Sequence, residues 1–175
     1  MNGRFERCLR FVLQREGGYS KDKLDRGGST FRGITQSTLN EARSRGWTRV
    51  EHVADLTDHD VERIYESGYW RPSRAAEFPA PLDLMLFDAF VNHRPTVAVS
   101  LIQAAVGSKQ DGKVGPKTIQ AAQDVNLVTA VERYAFEREQ LYRRIVKQDP
   151  PQERFLRGWL NRVAHVKAAA LLEVV

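Results

Sequence analysis

Three carboxylates and a hydroxyl stand close together near the front of the chain: Glu16, Asp22, Asp25 and Thr30. Glu16 is the one whose type contradicts its place. It follows Val12 by four residues, Leu9 by seven and Phe5 by eleven, so it extends the apolar stripe of an amphipathic first helix. A carboxylate there is costly unless it is paired, neutralised or opened to a cleft. It also falls in the last helical turn, at the negative end of the helix dipole. Burial and dipole both raise its pKa, which suits a general acid working near neutral pH. A structural salt bridge, to Arg15 or Arg32, accounts for the same residue equally well.

Asp22 and Asp25 lie in the polar, glycine-rich stretch that follows, with Lys23 and Arg26 flanking Asp25. Those cations keep Asp25 ionised. A protonated acid facing an ionised carboxylate is the arrangement that glycosidic cleavage needs. One group protonates the leaving oxygen; the other stabilises the oxocarbenium-like centre or activates water, which Thr30 can help to hold. Turn chemistry explains the same Asp and Gly residues without any catalysis. A calcium loop does not fit, because the EF-hand spacing and its terminal Glu are missing.

The elements that must hold these residues can be read from periodicity. The first helix ends at Gly17-Gly18. Tyr19 to Thr35 reads as a short β-hairpin, with its turn near Arg26-Gly27-Gly28-Ser29. The rest is helical: Gln36 to Arg45; a helix begun by the Thr57/Asp60 capping pair and running towards Tyr69-Trp70; Leu82 to Asn92; and Val97 to Val106. Asp111 to Pro116 is a tight loop, with Pro116 opening a helix through Gln123. Two long helices, roughly 127–147 and 152–172, close the chain across Pro150-Pro151. The expected fold is α+β and mostly helical, with one small β-hairpin after the first helix.

Composition narrows the function. The chain has 175 residues, a formal net charge of +5, 42% hydrophobic residues and one cysteine. This suits a soluble domain with a proper core and excludes an internal disulfide framework. No apolar run approaches the roughly 20 residues that span a bilayer, and charges break the N-terminal segment, so neither membrane insertion nor a signal peptide is expected. Synthesis in the cytoplasm and action on the cell wall in the periplasm would then require an export partner. Positive charge favours a polyanion, and bacterial wall, anionic lipid and nucleic acid all qualify. His52, His59, His93 and His165 have no zinc spacing, so no metal and no cofactor are expected. Cys8 sits on the packed side of the first helix as a buried thiol. Arg133, Arg138, Arg143, Arg144, Lys147, Arg154, Arg157, Arg162 and Lys167 read mostly as a solvated basic face of the last two helices.

The string E-G-G-Y-S, followed by D-x-x-D-x-G-G-x-T-x-x-G-I-T, resembles glycoside hydrolase family 108, the N-acetylmuramidases of phage endolysins and related muralytic proteins. The resemblance continues through I-Y-E-S-G-Y-W, ending at Trp70, and F-D-A-F-V-N, ending at Asn92. L-I-Q-A-A-V-G-S-K-Q-D-G-K-V-G-P-K-T and G-W-L-N-R-V are similar to the associated peptidoglycan-binding-type region. It implies a lysozyme-like fold, a catalytic region at 1–92 and a helical wall-binding region at 93–175, packed as one unit. It gives Glu16 the role of acid, with Asp25 and Thr30 completing a Glu, Asp, Thr series like that of phage-type lysozymes. Asp22, Tyr69, Trp70 and Asn92 become candidate substrate contacts; core packing and helix capping compete for the last three. Lys23 and Arg26 replace prolines common in the family, and His93-Arg94 replace a small residue.

The implied activity is hydrolysis of the β-1,4 bond between N-acetylmuramic acid and N-acetylglucosamine. The implied partners are peptidoglycan and a holin or similar pore, with no nucleic acid and a monomeric enzyme. The phage-lysozyme series leans towards inversion, which needs carboxyls about 6.5–9.5 Å apart rather than about 5–5.5 Å. Two other classes compete. A non-catalytic wall-binding module would hold peptidoglycan without releasing reducing ends. A basic DNA-binding domain would lose affinity steeply with salt.

Overall fold

The computed structural model describes residues 3–14 and 30–174. The first apolar stripe forms a helix, α1 (Gly3–Leu13), and buries Phe5, Cys8, Leu9 and Val12. Spacings of three and four place all four on one face. The expected continuation to Glu16 and Gly17 lies outside the described residues.

Two short strands follow, β1 (Thr30–Phe31) and β2 (Ile34–Thr35), antiparallel, with Thr30 opposite Thr35 and Phe31 opposite Ile34. The turn between them is Arg32-Gly33, and both residues have positive φ, 49° and 79°. That is the backbone twist two-residue hairpins prefer. The turn expected at Arg26 to Ser29 lies outside the described residues; Thr30 opens the hairpin described here. α2 (Gln36–Ser44) begins at once, its N-terminus capped by Thr35. α3 (Asp58–Tyr65) starts at the expected capping box, with Thr57 and Asp60 each satisfying the other's backbone. It runs on through a π-helical turn (Glu66–Trp70) into α4 (Arg71–Ser73).

The chain divides into two compact units, Met1–Pro72 and Ser73–Val175. The second is built around α5 (Leu82–Asn92), where every residue from Leu82 to Phe90 is buried. A helix buried on all sides belongs at the centre of its unit. α6 (Pro95–Val106), α7 (Pro116–Asp124), α8 (Leu127–Gln148) and α9 (Glu153–Val174) complete the unit. α8 packs on α6 and α9, and α5 on α6 and α9. The architecture is the mostly helical α+β one expected, with the hairpin following the first helix.

Asp88 stands in the middle of α5 with no solvent exposure. It accepts hydrogen bonds from Arg138 at 2.6 Å and Arg162 at 3.0 Å. Burial alone would raise its carboxyl, and the two guanidinium groups overturn that and hold it below the usual range. The Arg138 guanidinium lies beside the Tyr134 and Tyr142 rings, at 6.0 and 5.9 Å. The expectation that these arginines form a solvated face fails for Arg138, which is fully buried, and for Arg162, whose side chain is 15% exposed. Arg138 falls four residues after Tyr134 and four before Tyr142, on the inward stripe of α8. Cys8 is buried as expected, and Trp159 stacks on Tyr142 at 4.9 Å, a packing role.

His93, just beyond α5, shares a 3.2 Å hydrogen bond with the Tyr142 hydroxyl. Burial, reinforced by Arg138, pushes its imidazole down to about 4. The unfolded chain therefore gains a proton near pH 6.5, before the folded chain does. Stability contributed by neutral His93 is full above pH 6.5 and drains away down to about 4. Urea unfolding at pH 7 and 4.5 is expected to differ by about 2–3 kcal/mol from this residue. A His93→Gln variant should lose most of that difference.

Candidate active site

Of the residues singled out for catalysis, Glu16 and Asp25 lie outside the described residues, as does the candidate substrate contact Asp22, and Thr30 is described. It sits half-buried on β1, in a hairpin tied down at three points. Thr35 accepts from the Thr38 backbone N–H at 3.1 Å, which locks the end of β2 to α2. The Tyr65 hydroxyl donates to the Arg32 carbonyl at 2.9 Å. The Arg32 guanidinium meets Asp58 at 3.0 Å. A non-glycine residue at positive φ costs about 1–2 kcal/mol, and these tethers supply the tertiary hold such a residue needs. Thr30 is thus presented from a short but well-anchored element.

Tyr69 and Trp70 lie in the π-helical turn. The Arg71 N–H reaches back to the Glu66 carbonyl, and their side chains pair at 3.0 Å. Such turns insert one extra residue and re-aim the side chains that follow. Trp70 is 4% exposed and its ring tilts against Phe5 of α1 at 5.5 Å. Tyr69 is half-buried, 5.4 Å from the Tyr65 ring. Trp47 was not singled out from sequence. Its indole lies so near Gly68 that a Cβ there would sit 3.1 Å from it. The glycine in I-Y-E-S-G-Y-W was the available signal, since a close approach requires one. Hairpin, π turn and Trp47 all belong to the first unit.

Asn92 belongs to the second unit, at the end of α5. Its side-chain N–H donates to the Asp88 backbone carbonyl, one turn earlier, at 2.6 Å. In the same unit, the Asp111 to Pro116 loop is organised by Gln103, only 1% exposed. The Gln103 amide donates to Asp111 at 2.8 Å and to the Lys113 carbonyl at 3.0 Å, and its oxygen accepts from the Gly112 N–H at 2.9 Å. The hydrogen bond from Gln103 holds the Asp111 carboxyl below its usual range. Nothing local in L-I-Q-A-A-V marks its glutamine as the organiser of a loop eight residues further on.

Residues 9–93 match the model of glycosyl hydrolase 108, and residues 97–164 match one described as a predicted peptidoglycan domain. The structure of Brucella abortus SagA is 30% identical, with a TM-score of 0.81 over 99% of this chain and 97% of SagA. The chain belongs to the glycosyl hydrolase 108 family. No curated protein matches the sequence. Membership makes this chain a glycoside hydrolase of a muramidase family, joined to a peptidoglycan domain and directed at that polymer. Among the described residues, no helix is long and apolar enough to cross a membrane. The family match ends at residue 93, whereas the backbone packs all of α5 with the second unit.

Proposed function

We propose that this family 108 enzyme is an endolysin-type N-acetylmuramidase that hydrolyses the β-1,4 bond between N-acetylmuramic acid and N-acetylglucosamine. The observation that carries the reading is the unbroken motif from Glu16 to Thr35, which lies within the matched family range. Glu16 donates the proton to the glycosidic oxygen. Asp25, kept ionised by Lys23 and Arg26, stabilises the cationic sugar or activates water, and Thr30 helps to hold that water. Asp22 and Asn92 hydrogen-bond the substrate. Of the two aromatics, Tyr69 keeps accessible surface for a sugar ring, while Trp70 supports it from the core. Residues 1–92 carry catalysis and 93–175 hold the wall. On this reading the enzyme works as a monomer, is bacteriolytic, comes from a phage or prophage, and reaches the wall through a holin or similar pore.

The bond is tested by digesting purified peptidoglycan, reducing the products with borohydride and identifying the new ends by mass spectrometry. Reduced muramic-acid ends are expected. Reduced glucosamine ends would keep a glycosidase and move the cut to the other linkage. Binding without new ends would favour a non-catalytic wall-binding module.

A further inference from the structure

Asp88 of F-D-A-F-V-N and Arg162 of G-W-L-N-R-V meet inside the second unit, although 74 residues separate them. The first motif falls within the glycosyl hydrolase match and the second within the peptidoglycan-domain match. Their pairing does more than balance charge. Arg138, with no solvent exposure and 2.6 Å from one Asp88 oxygen, already neutralises that carboxylate. The other oxygen takes both Nε and Nη2 of Arg162, at 3.0 and 2.9 Å. A side-on grip of this kind fixes the plane of the guanidinium and turns its Nη1 corner away from Asp88. Arg162 keeps 15% of its side-chain surface exposed, where Arg138 keeps none. Asp88 also anchors the exposed Asn92, through its backbone carbonyl at 2.6 Å. The two residues lie one turn apart on the same face of α5, so the tethered guanidinium and the tethered amide are neighbours. The imidazole of His93, held low by burial and by Arg138, feels the Arg162 charge as well.

We propose that Arg162 is a substrate-binding residue, held by Asp88 beside Asn92, that donates to the lactyl acid arm of N-acetylmuramic acid and so selects that sugar. The inference rests on the substrate named above, a glycan containing N-acetylmuramic acid, and on Asn92 touching it. Both sugars of that glycan carry hydroxyls and an acetamido group, for which a neutral amide such as Asn92 suffices. Only the muramic residue carries an acid arm, which presents carbonyl or carboxylate oxygens. Those oxygens are acceptors, and a planar guanidinium whose direction is already fixed is the side chain that matches them. Because Asp88 holds the fork before substrate arrives, little side-chain freedom is lost on binding.

The test is binding, so that the bond cleaved does not decide it. Isothermal titration of the full chain compares two disaccharides. N-acetylglucosaminyl-N-acetylmuramic acid has its lactyl arm as a free carboxylate, and N,N′-diacetylchitobiose lacks the arm. Wild type is expected to bind the muramyl disaccharide about tenfold or more tighter. Arg162→Lys keeps a cation beside Asp88 but loses the fork, and should keep only part of that preference. Arg162→Gln should lose it, with chitobiose bound as before. Thermal melts accompany both variants; Arg138 still balances Asp88 in each, so both are expected to stay folded. A structural role alone would weaken both disaccharides together. That result, a full preference in either variant, or equal binding of the two sugars by wild type would overturn the assignment. A clear preference in a wild type that released no muramic-acid ends would remove the muramidase reading and leave Arg162 as the reader of the acid arm.

Discussion

Replacing Glu16 by Gln is expected to lower the rate of wall hydrolysis about a hundredfold or more while the chain stays folded. Glutamine keeps the shape and the hydrogen-bonding reach but has no proton to give to the leaving oxygen. The loss should therefore appear in kcat, with KM little changed, the pattern of an interaction made only in the transition state. Phe5, Leu9 and Val12 are all buried, and in the sequence Glu16 follows them by eleven, seven and four residues. Urea unfolding of the variant should stay close to wild type. An active enzyme with a changed midpoint would instead mark Glu16 as a structural salt-bridge partner.

Removing Asp88 is expected to have the largest effect on stability. Asp88→Ala leaves Arg138 buried without its carboxylate and takes away a partner of Arg162. Breaking a buried ion pair from one side costs about 3–5 kcal/mol, because the surviving charge remains desolvated. For a chain of this length that is a fall in Tm on the order of 6–20 °C. The pH dependence has a definite sign. The folded-state pKa of Asp88 lies below its unfolded value, so its contribution is complete above pH 4 and is lost as pH falls through the lower folded-state value. Thermal melts at pH 7 and pH 3 check both statements. A variant as stable as wild type at pH 7 would show that the Asp88 ion cluster contributes nothing.

Asp88 and Glu16 teach the same lesson about what a sequence reveals. Each is a carboxylate set among apolar residues at helical spacing in the sequence, and each announces that something must compensate it. For Asp88 the compensation is two arginines, 50 and 74 residues away, which no local pattern could match to it. Arg138 could have been found by the same reasoning, since it shares a stripe with Tyr134, Ala135 and Tyr142, but a tally of basic residues hid that spacing. Local signals read well: the Thr57 capping box, Pro116 at the start of α7, and the helices from Gln36 onward. The turn at Arg32-Gly33 was not legible locally, because Arg32 is held at positive φ by Tyr65 and Asp58 from elsewhere in the fold. The order Glu16, Asp25, Thr30 was visible because these residues are close together in the sequence. The π turn that re-aims Tyr69 was not, because backbone register leaves no mark on composition.

The role of Glu16 in cleaving the muramic-acid linkage is tested by digesting the same peptidoglycan with wild type and with Glu16→Gln under identical conditions, then counting reduced muramic-acid ends by mass spectrometry. Such ends are expected in abundance from the wild type and at most about a hundredth as many from the variant at equal time. Equal yields from the two proteins would contradict it.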